Sequence, residues 1–360
     1  MRLSISNSNE RLPTGNWLAV WLGIIVVIFS AIAFFEWHIR SLGWSPSTVD
    51  SVQLWSEKRR HASTLGDKAI ILVGASRIQL DMDLNVIEKH TGLKPVQLAI
   101  DGTTYIPVLE DLADDPRVTG AVLISVNAYN MNKGNYGDVS AQWVNYYHKV
   151  RSQTIAPYQT IHDKIASFLD HLLVLRIEGA KPYTVISSLA FKKPGKGNYL
   201  VANPDRSRDA DYNKVAMPMF YAARLQRHFG KPLNEKFTSY KEFFAAYRRE
   251  ISAIEPLNNE TFLANLNYLL KLVNKIESRG GKVIIVRFPT GKLVWEVDNK
   301  KYPKNLFWDE IEKRHPASIN FSDYASLNKF ILPDGSHLDY RDKVAFTQGL
   351  MDIIYSKGFL

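Results

Sequence analysis

The sequence predicts an α/β domain, a parallel sheet with helices on both faces, carried behind one N-terminal transmembrane helix. Three observations predict it. Four short runs are wholly or largely apolar and end near Gly or a polar turn, as strands buried on both faces do. Helical stretches alternate with those runs, the pattern of βαβ units. Finally, Trp17 to Phe35 reads WLAVWLGIIVVIFSAIAFF, nineteen residues with no charge and one Ser.

The elements follow in chain order. Residues 1–16 form a short tail, expected on the cytoplasmic side. A helix over the nineteen apolar residues would be roughly 28 Å long, close to the hydrocarbon thickness of a bilayer. Trp17, Trp21 and Trp37 lie toward its ends, where amphipathic rings favour the headgroup layer. A cleaved signal peptide would have a shorter apolar region ending in small residues, whereas this one ends Phe34-Phe35-Glu36-Trp37. Residues 17–37 are therefore expected to be an uncleaved single-pass signal anchor. Arg2 and Arg11 precede the span and Arg40 follows it, so charge alone sets orientation weakly. A short tail on one side and a large domain on the other favours a domain outside the cytoplasm.

Residues 38–65 are polar and mixed, expected as a juxtamembrane linker with a short helix over 52–63. The domain proper is expected over 66–360. Its strands are Ala69–Val73, Val96–Ile100, Ala121–Val126 and Val283–Val286. Its helices are Leu84–His90, Ile106–Leu112, Phe262–Ser278 and Tyr340–Ile354. Residues 131–260 interrupt this rhythm; they are rich in Tyr, Lys and Arg, with helices expected near 160–177 and 237–254 and no clear strand. This insertion is expected to be a helical cap, which could frame a substrate cleft.

Composition narrows the chemistry. The 360 residues are 46% hydrophobic and 22% charged, with no cysteine and a formal charge of +9. Such proportions suit an ordinary folded protein, and the missing cysteine excludes Cys nucleophiles, Cys-ligated zinc and iron–sulfur clusters. There is no P-loop, no dinucleotide fingerprint around Gly195-Lys196-Gly197 and no HExxH. The expectation is that no cofactor and no metal is used. Basic residues are scattered, without a recognition helix or aromatic RNA motif, so no nucleic acid is expected as a partner. An acidic polymer or anionic headgroups suit the positive charge better.

In open α/β sheets, ligands bind beyond the carboxyl ends of the strands, so the residues there matter most. After the first strand comes Gly74-Ala75-Ser76-Arg77. A Ser on such a turn exposes its hydroxyl as a nucleophile, or alternatively caps the following helix. Before the last helix stands Pro333-Asp334-Gly335-Ser336-His337. A His can take the Ser proton while an Asp three residues earlier orients it; otherwise the segment is a plain turn. Gly102 follows the second strand, where its amide could approach a substrate closely. Asn127 follows the third, where its side chain could donate to an oxyanion. Arg287, after the fourth, would bind an anionic group or form a structural salt bridge.

This arrangement resembles the SGNH (GDSL-like) hydrolase superfamily over residues 66–128 and 280–356. Gly74-Ala75-Ser76 matches its first block with Ala in place of Asp, and Gly102 matches the second-block Gly. Ser125-Val126-Asn127-Ala128 keeps the Asn of the third block and loses its Gly and final Asp. Asp334-Gly335-Ser336-His337 matches the last block. The resemblance implies a flavodoxin-like sheet, Ser76 as nucleophile, His337 as base and Asp334 as orienting acid. It also implies an oxyanion hole of the Ser76 amide, the Gly102 amide and the Asn127 side chain.

With its single anchor and large insertion, the chain is most similar to the membrane-anchored SGNH-like proteins of bacterial envelopes. Those include proteins of alginate O-acetylation and teichoic-acid D-alanylation. The resemblance implies an extracytoplasmic (periplasmic or cell-surface) enzyme working through an acyl-serine on acyl esters of envelope polysaccharide. Water as second acceptor makes it an esterase; a sugar hydroxyl makes it an O-acyltransferase. A multi-span membrane acyltransferase is the implied partner. The reading from a different class is a catalytically silent anchored subunit that binds polysaccharide or that partner, which the altered third block would suit.

Overall fold

The computed structural model describes residues 15–133, 139–151, 165–166, 168–177, 197–230 and 237–360. Most of the expected cytoplasmic tail and the beginning of the helix expected near 160 lie outside the described residues, as do Gly195 and Lys196.

Five strands form one wholly parallel sheet: β1 (Ala69–Val73), β2 (Lys94–Gln97), β3 (Ala121–Ser125), β6 (Lys282–Arg287) and β7 (Ser318–Asn320). The spatial order is β2-β1-β3-β6-β7, so the chain reverses its direction of travel between β1 and β3. Such a reversal opens a crevice at the carboxyl ends of those two strands. Between β3 and β6 the insertion adds a short antiparallel hairpin, β4 (Leu200–Ala202) with β5 (Arg208–Ala210).

The apolar runs become strands because both of their faces are covered. Ile71, Val73, Val122, Ile124, Val283 and Ile285 face one side, against Trp55, Leu109, Leu112, Phe262, Leu269 and Ile311. Their neighbours Ile70, Leu72, Leu123, Ile284 and Val286 face the other side, against Ile87, Phe346, Leu350 and Ile354. Each such side chain contributes about 1.5–3 kcal/mol when fully buried, so a one-residue slip in register would be heavily penalised.

The strands expected from sequence are all present, with one shift. The second is assigned over Lys94–Gln97 rather than 96–100, yet Leu98 and Ile100 still donate to Leu72 and Gly74, at 2.9 and 3.1 Å. Pro95 lies on this edge strand, where a missing donor is tolerated. Two features were not foreseen. β7 and the β4–β5 hairpin have three residues per strand, too few for any periodicity to register, so the insertion is not purely helical.

The N-terminal helix runs without interruption from Trp17 to Ser41, and it is long and apolar enough to cross a membrane. The helix expected near 52–63 spans Val52–Leu65 and packs onto the sheet. Trp55 Nε1 donates to the Leu98 carbonyl at 2.9 Å, and Arg59 is buried against Asp111 and Asp115. In the insertion, the helices Met217–Phe229 and Tyr240–Ser252 pack on the helix Lys292–Lys301 through Tyr221, Leu225, Tyr247, Val294 and Val297. The insertion is thus fastened to the segment that follows β6.

Candidate active site

The site begins where β1 meets β3. A Cβ on Gly74 would lie 2.7 Å from the Ser125 Cβ, so only glycine lets the two strand ends approach this closely. The chain then turns and Ser76 opens the helix Ser76–Asp81, with Ala75 in the capping position and no side-chain cap. Ser76 is therefore not the helix cap that its position also allowed. Its hydroxyl is half-buried and lies 2.8 Å from His337 Nε2.

His337 and Asp334 come from the loop between β7 and the C-terminal helix Lys343–Ser356. Asp334 folds its own loop: Oδ1 accepts from the amides of Ser336 and His337, both at 2.9 Å, while Oδ2 lies 2.9 Å from His337 Nδ1. Gly335 permits the turn, with φ +77 and no room for a Cβ, which would lie 2.8 Å from Val294. Two braces hold the loop from outside. Gly291 donates to the Gly335 carbonyl at 3.0 Å, and Lys292 Nζ to that of Pro333 at 2.8 Å. From inside, Asp81 accepts from the Leu338 amide at 2.9 Å.

The electrostatics fix the proton positions. Burial works to raise the Asp334 carboxyl, but His337, Arg224 and the Ser336 amide outweigh it and hold the group below the usual carboxylate range. An ionised Asp334 can only accept, so His337 Nδ1 carries the hydrogen and Nε2 is left to accept from Ser76. Burial pushes His337 below its ordinary value; Asp334 opposes that shift, while Arg224 and Arg77 add to it. The imidazole is accordingly neutral near pH 7, the form a general base needs. Burial drives Asp81 well upward, so the inner brace tends toward the neutral acid and adds little charge beside the imidazole.

Three further residues converge on this relay, none of which the sequence analysis singled out. Arg224, on the Met217–Phe229 helix of the insertion, places Nη2 3.1 Å from Asp334 Oδ2. Tyr212, also from the insertion, has its phenol pushed far up by burial and by the carboxylates of Asp334 and Asp81. Arg77 donates to Ser336 Oγ at 3.3 Å. Arg77 could have been suspected from its place after Ser76. Arg224 and Tyr212 carry no local signal, because only the packing of the insertion brings them to the sheet.

Gly102 and Asn127 follow the strands on either side of β1. Gly102 is an exposed turn residue with φ +70 and open space where a Cβ would stand. The Asn127 Oδ1 accepts from the Asn130 amide at 2.8 Å, fixing the side chain at the start of the helix Ala128–Lys133. Its Nδ2 is uncommitted among the described residues. Arg287 ends β6 buried, its guanidinium stacked 4.9 Å from the centre of the Trp295 ring. It forms no ion pair among the described residues, so the structure does not join it to the Ser76–His337–Asp334 relay.

A separate cleft of about 630 Å³ lies between the helices Val52–Leu65, Ile106–Asp114 and Val139–Arg151, lined by Arg59, Asp111, Asp115 and His148. It contains no residue of the relay. Among the described residues, no group of three or more His, Asp or Glu side chains is placed to hold a metal ion. Comparison with protein-family models and with curated proteins finds no match for this chain.

Proposed function

We propose that this chain is a membrane-anchored serine O-acyltransferase or esterase of the SGNH type, with its domain on the extracytoplasmic side. The observation that carries the reading is the continuous relay from Ser76 through His337 to Asp334, with contacts of 2.8 and 2.9 Å. It lies at the crevice that this strand order creates. In the reaction, Ser76 Oγ attacks an acyl carbonyl carbon as His337 Nε2 takes the hydroxyl proton. The resulting imidazolium is stabilised by Asp334 and then protonates the departing alkoxide, leaving an acyl-Ser76. The Ser76 and Gly102 amides and the Asn127 Nδ2 are the donors to the tetrahedral oxyanion, each worth about 3 kcal/mol of barrier. Water or a sugar hydroxyl, deprotonated by the same imidazole, then attacks the acyl-serine and releases the product.

The apolar N-terminal helix supports work at a membrane, on acetyl or other acyl esters of envelope polysaccharide, supplied by a multi-span acyltransferase. The formal charge of +9 suits an acidic polymer. The test uses the full-length chain in detergent with a fluorophosphonate serine probe. Wild type should label, Ser76→Ala should not, and His337→Ala should label slower by roughly three orders of magnitude. Labelling of Ser76→Ala equal to wild type would overturn the assignment. No labelling of a folded wild-type chain would favour the silent, partner-binding subunit.

A further inference from the structure

The N-terminal helix does not leave the domain as a bare stalk. It is exposed from Trp17 to Phe34, and burial begins at Phe35 and Glu36, where the nineteen apolar residues end. At this level part of the insertion closes around it. Ile39 packs on Val174, with Phe35, Trp44, Leu175 and Ile177 around them. Arg40 Nη2 donates to the Leu172 carbonyl at 2.7 Å, and the Leu175 amide donates to Glu36 Oε1 at 2.9 Å. The segment leading into this contact is helical at 165–166 and 168–172.

That segment carries large apolar side chains on the outside. Ile165, Phe168 and Leu172 are 54%, 64% and 49% exposed. Their spacing of three and four residues puts them on one face of a helix. An exposed apolar stripe in contact with water is unfavourable, at about 25 cal/mol for each Å² left uncovered. One end of the stripe meets the end of the N-terminal helix: the Leu172 carbonyl accepts from Arg40, and Trp37, about one turn before Arg40, is itself exposed, as interfacial tryptophans are. The level of the contact is the end of the span, which is the headgroup layer.

We propose that Ile165, Phe168 and Leu172 form a second membrane contact, in which this helical stretch lies in the bilayer interface beside the anchor with its apolar stripe among the upper acyl carbons. Such in-plane helices bury their apolar face several Å below the headgroups. The inference rests on the reading of Trp17–Phe35 as a membrane span. Its consequence is that the insertion, which also delivers Arg224 to Asp334, is held to the membrane at two points and fixes how the catalytic crevice faces the surface.

The chain has no cysteine, so single-cysteine labelling is clean. The full-length protein is reconstituted into phosphatidylcholine vesicles containing nitroxide lipids, with a nitrobenzoxadiazole label at Phe168→Cys, Val26→Cys or Lys271→Cys in separate preparations. Val26 lies mid-span, and Lys271 is exposed on the Glu260–Glu277 helix. Shallow nitroxides should quench the Phe168 label several-fold more than the Lys271 label. With the label moved to Ile165→Cys, the pair Phe168→Asp and Leu172→Asp should remove that quenching. Because these vesicles hold only lipid and this chain, quenching cannot come from a protein seated on the stripe. Equal quenching at Phe168 and Lys271, with Val26 quenched by deep nitroxides, overturns the second contact alone. An unquenched Val26 overturns the membrane span itself, and the inference with it.

Discussion

Asp334 Oδ2 lies between two nitrogen donors, His337 Nδ1 at 2.9 Å and the Arg224 cation, Nη2 at 3.1 Å. Arg224 thereby acts on the base through the acid. Its charge helps keep Asp334 ionised and, together with Arg77, opposes protonation of His337. The sign of the resulting pH effect follows directly. In the proposed reaction His337 must be neutral, so the acid limb of the rate profile would mark where the imidazole gains its proton. Removing a positive charge makes that proton easier to gain, and the limb moves to higher pH. For Arg224→Gln, hydrolysis of p-nitrophenyl acetate should therefore fall several-fold near pH 6 and stay close to wild type near pH 8. Arg224→Lys, which restores the charge, should bring the limb back. A loss that is uniform across pH would instead make Arg224 a packing residue.

Short elements placed by single side chains do much to join the insertion to the sheet. Arg206, in the turn of the β4–β5 hairpin, is fully buried despite its charge. Its Nη1 and Nη2 donate to the carbonyls of Gln97 and Ala99 at 2.7 and 2.9 Å, and its Nε to Asp50 at 2.7 Å. One guanidinium thus ties the hairpin, the end of β2 and the segment that follows the N-terminal helix. Asp50→Ala would leave that cation buried without its counter-ion, at a cost of about 3–5 kcal/mol. The thermal midpoint of the full-length chain in detergent should fall by roughly 5–10 °C; a fall of under a degree would mean that Arg206 is satisfied by the carbonyls alone. Legibility in the sequence follows the same physics. The strands of Ala69–Val73, Ala121–Ser125 and Lys282–Arg287 could be read because burial on both faces demands continuous apolar runs. The meeting of Ser76 with His337 could be anticipated because residues just beyond such runs share one edge of the sheet. β7, the hairpin and the arrival of Arg224 and Arg206 could not be read. Each depends on contacts between residues far apart in the chain, and a three-residue strand or a lone Arg leaves no periodic trace.

At the scale of the whole molecule, the last turns of the N-terminal helix are packed into the domain. Beyond the apolar stretch the chain is bonded into the insertion at every few residues: Glu36 to the Leu175 amide, Lys214 to the Gly43 carbonyl, Asn198 to the Ser45 amide and Thr48 to the Ala202 carbonyl. Ile39 is fully buried in this junction, worth about 2 kcal/mol. A chain beginning at Phe35 keeps Glu36 and Ile39, whereas one beginning at Ser45 loses both. The Leu175 amide then lacks its acceptor and Val174 its cover, while the sheet is untouched. Because opening is local where packing is local, the two fragments should differ only there. Hydrogen exchange at Leu175 should be more than tenfold faster in the shorter fragment, the factor expected for a loss of about 2 kcal/mol. Amides of β1 should exchange equally in both. Equal protection of Leu175 in the two fragments would show that the end of the anchor merely tethers the domain, and that the bonds at Glu36 and Arg40 do not set its orientation.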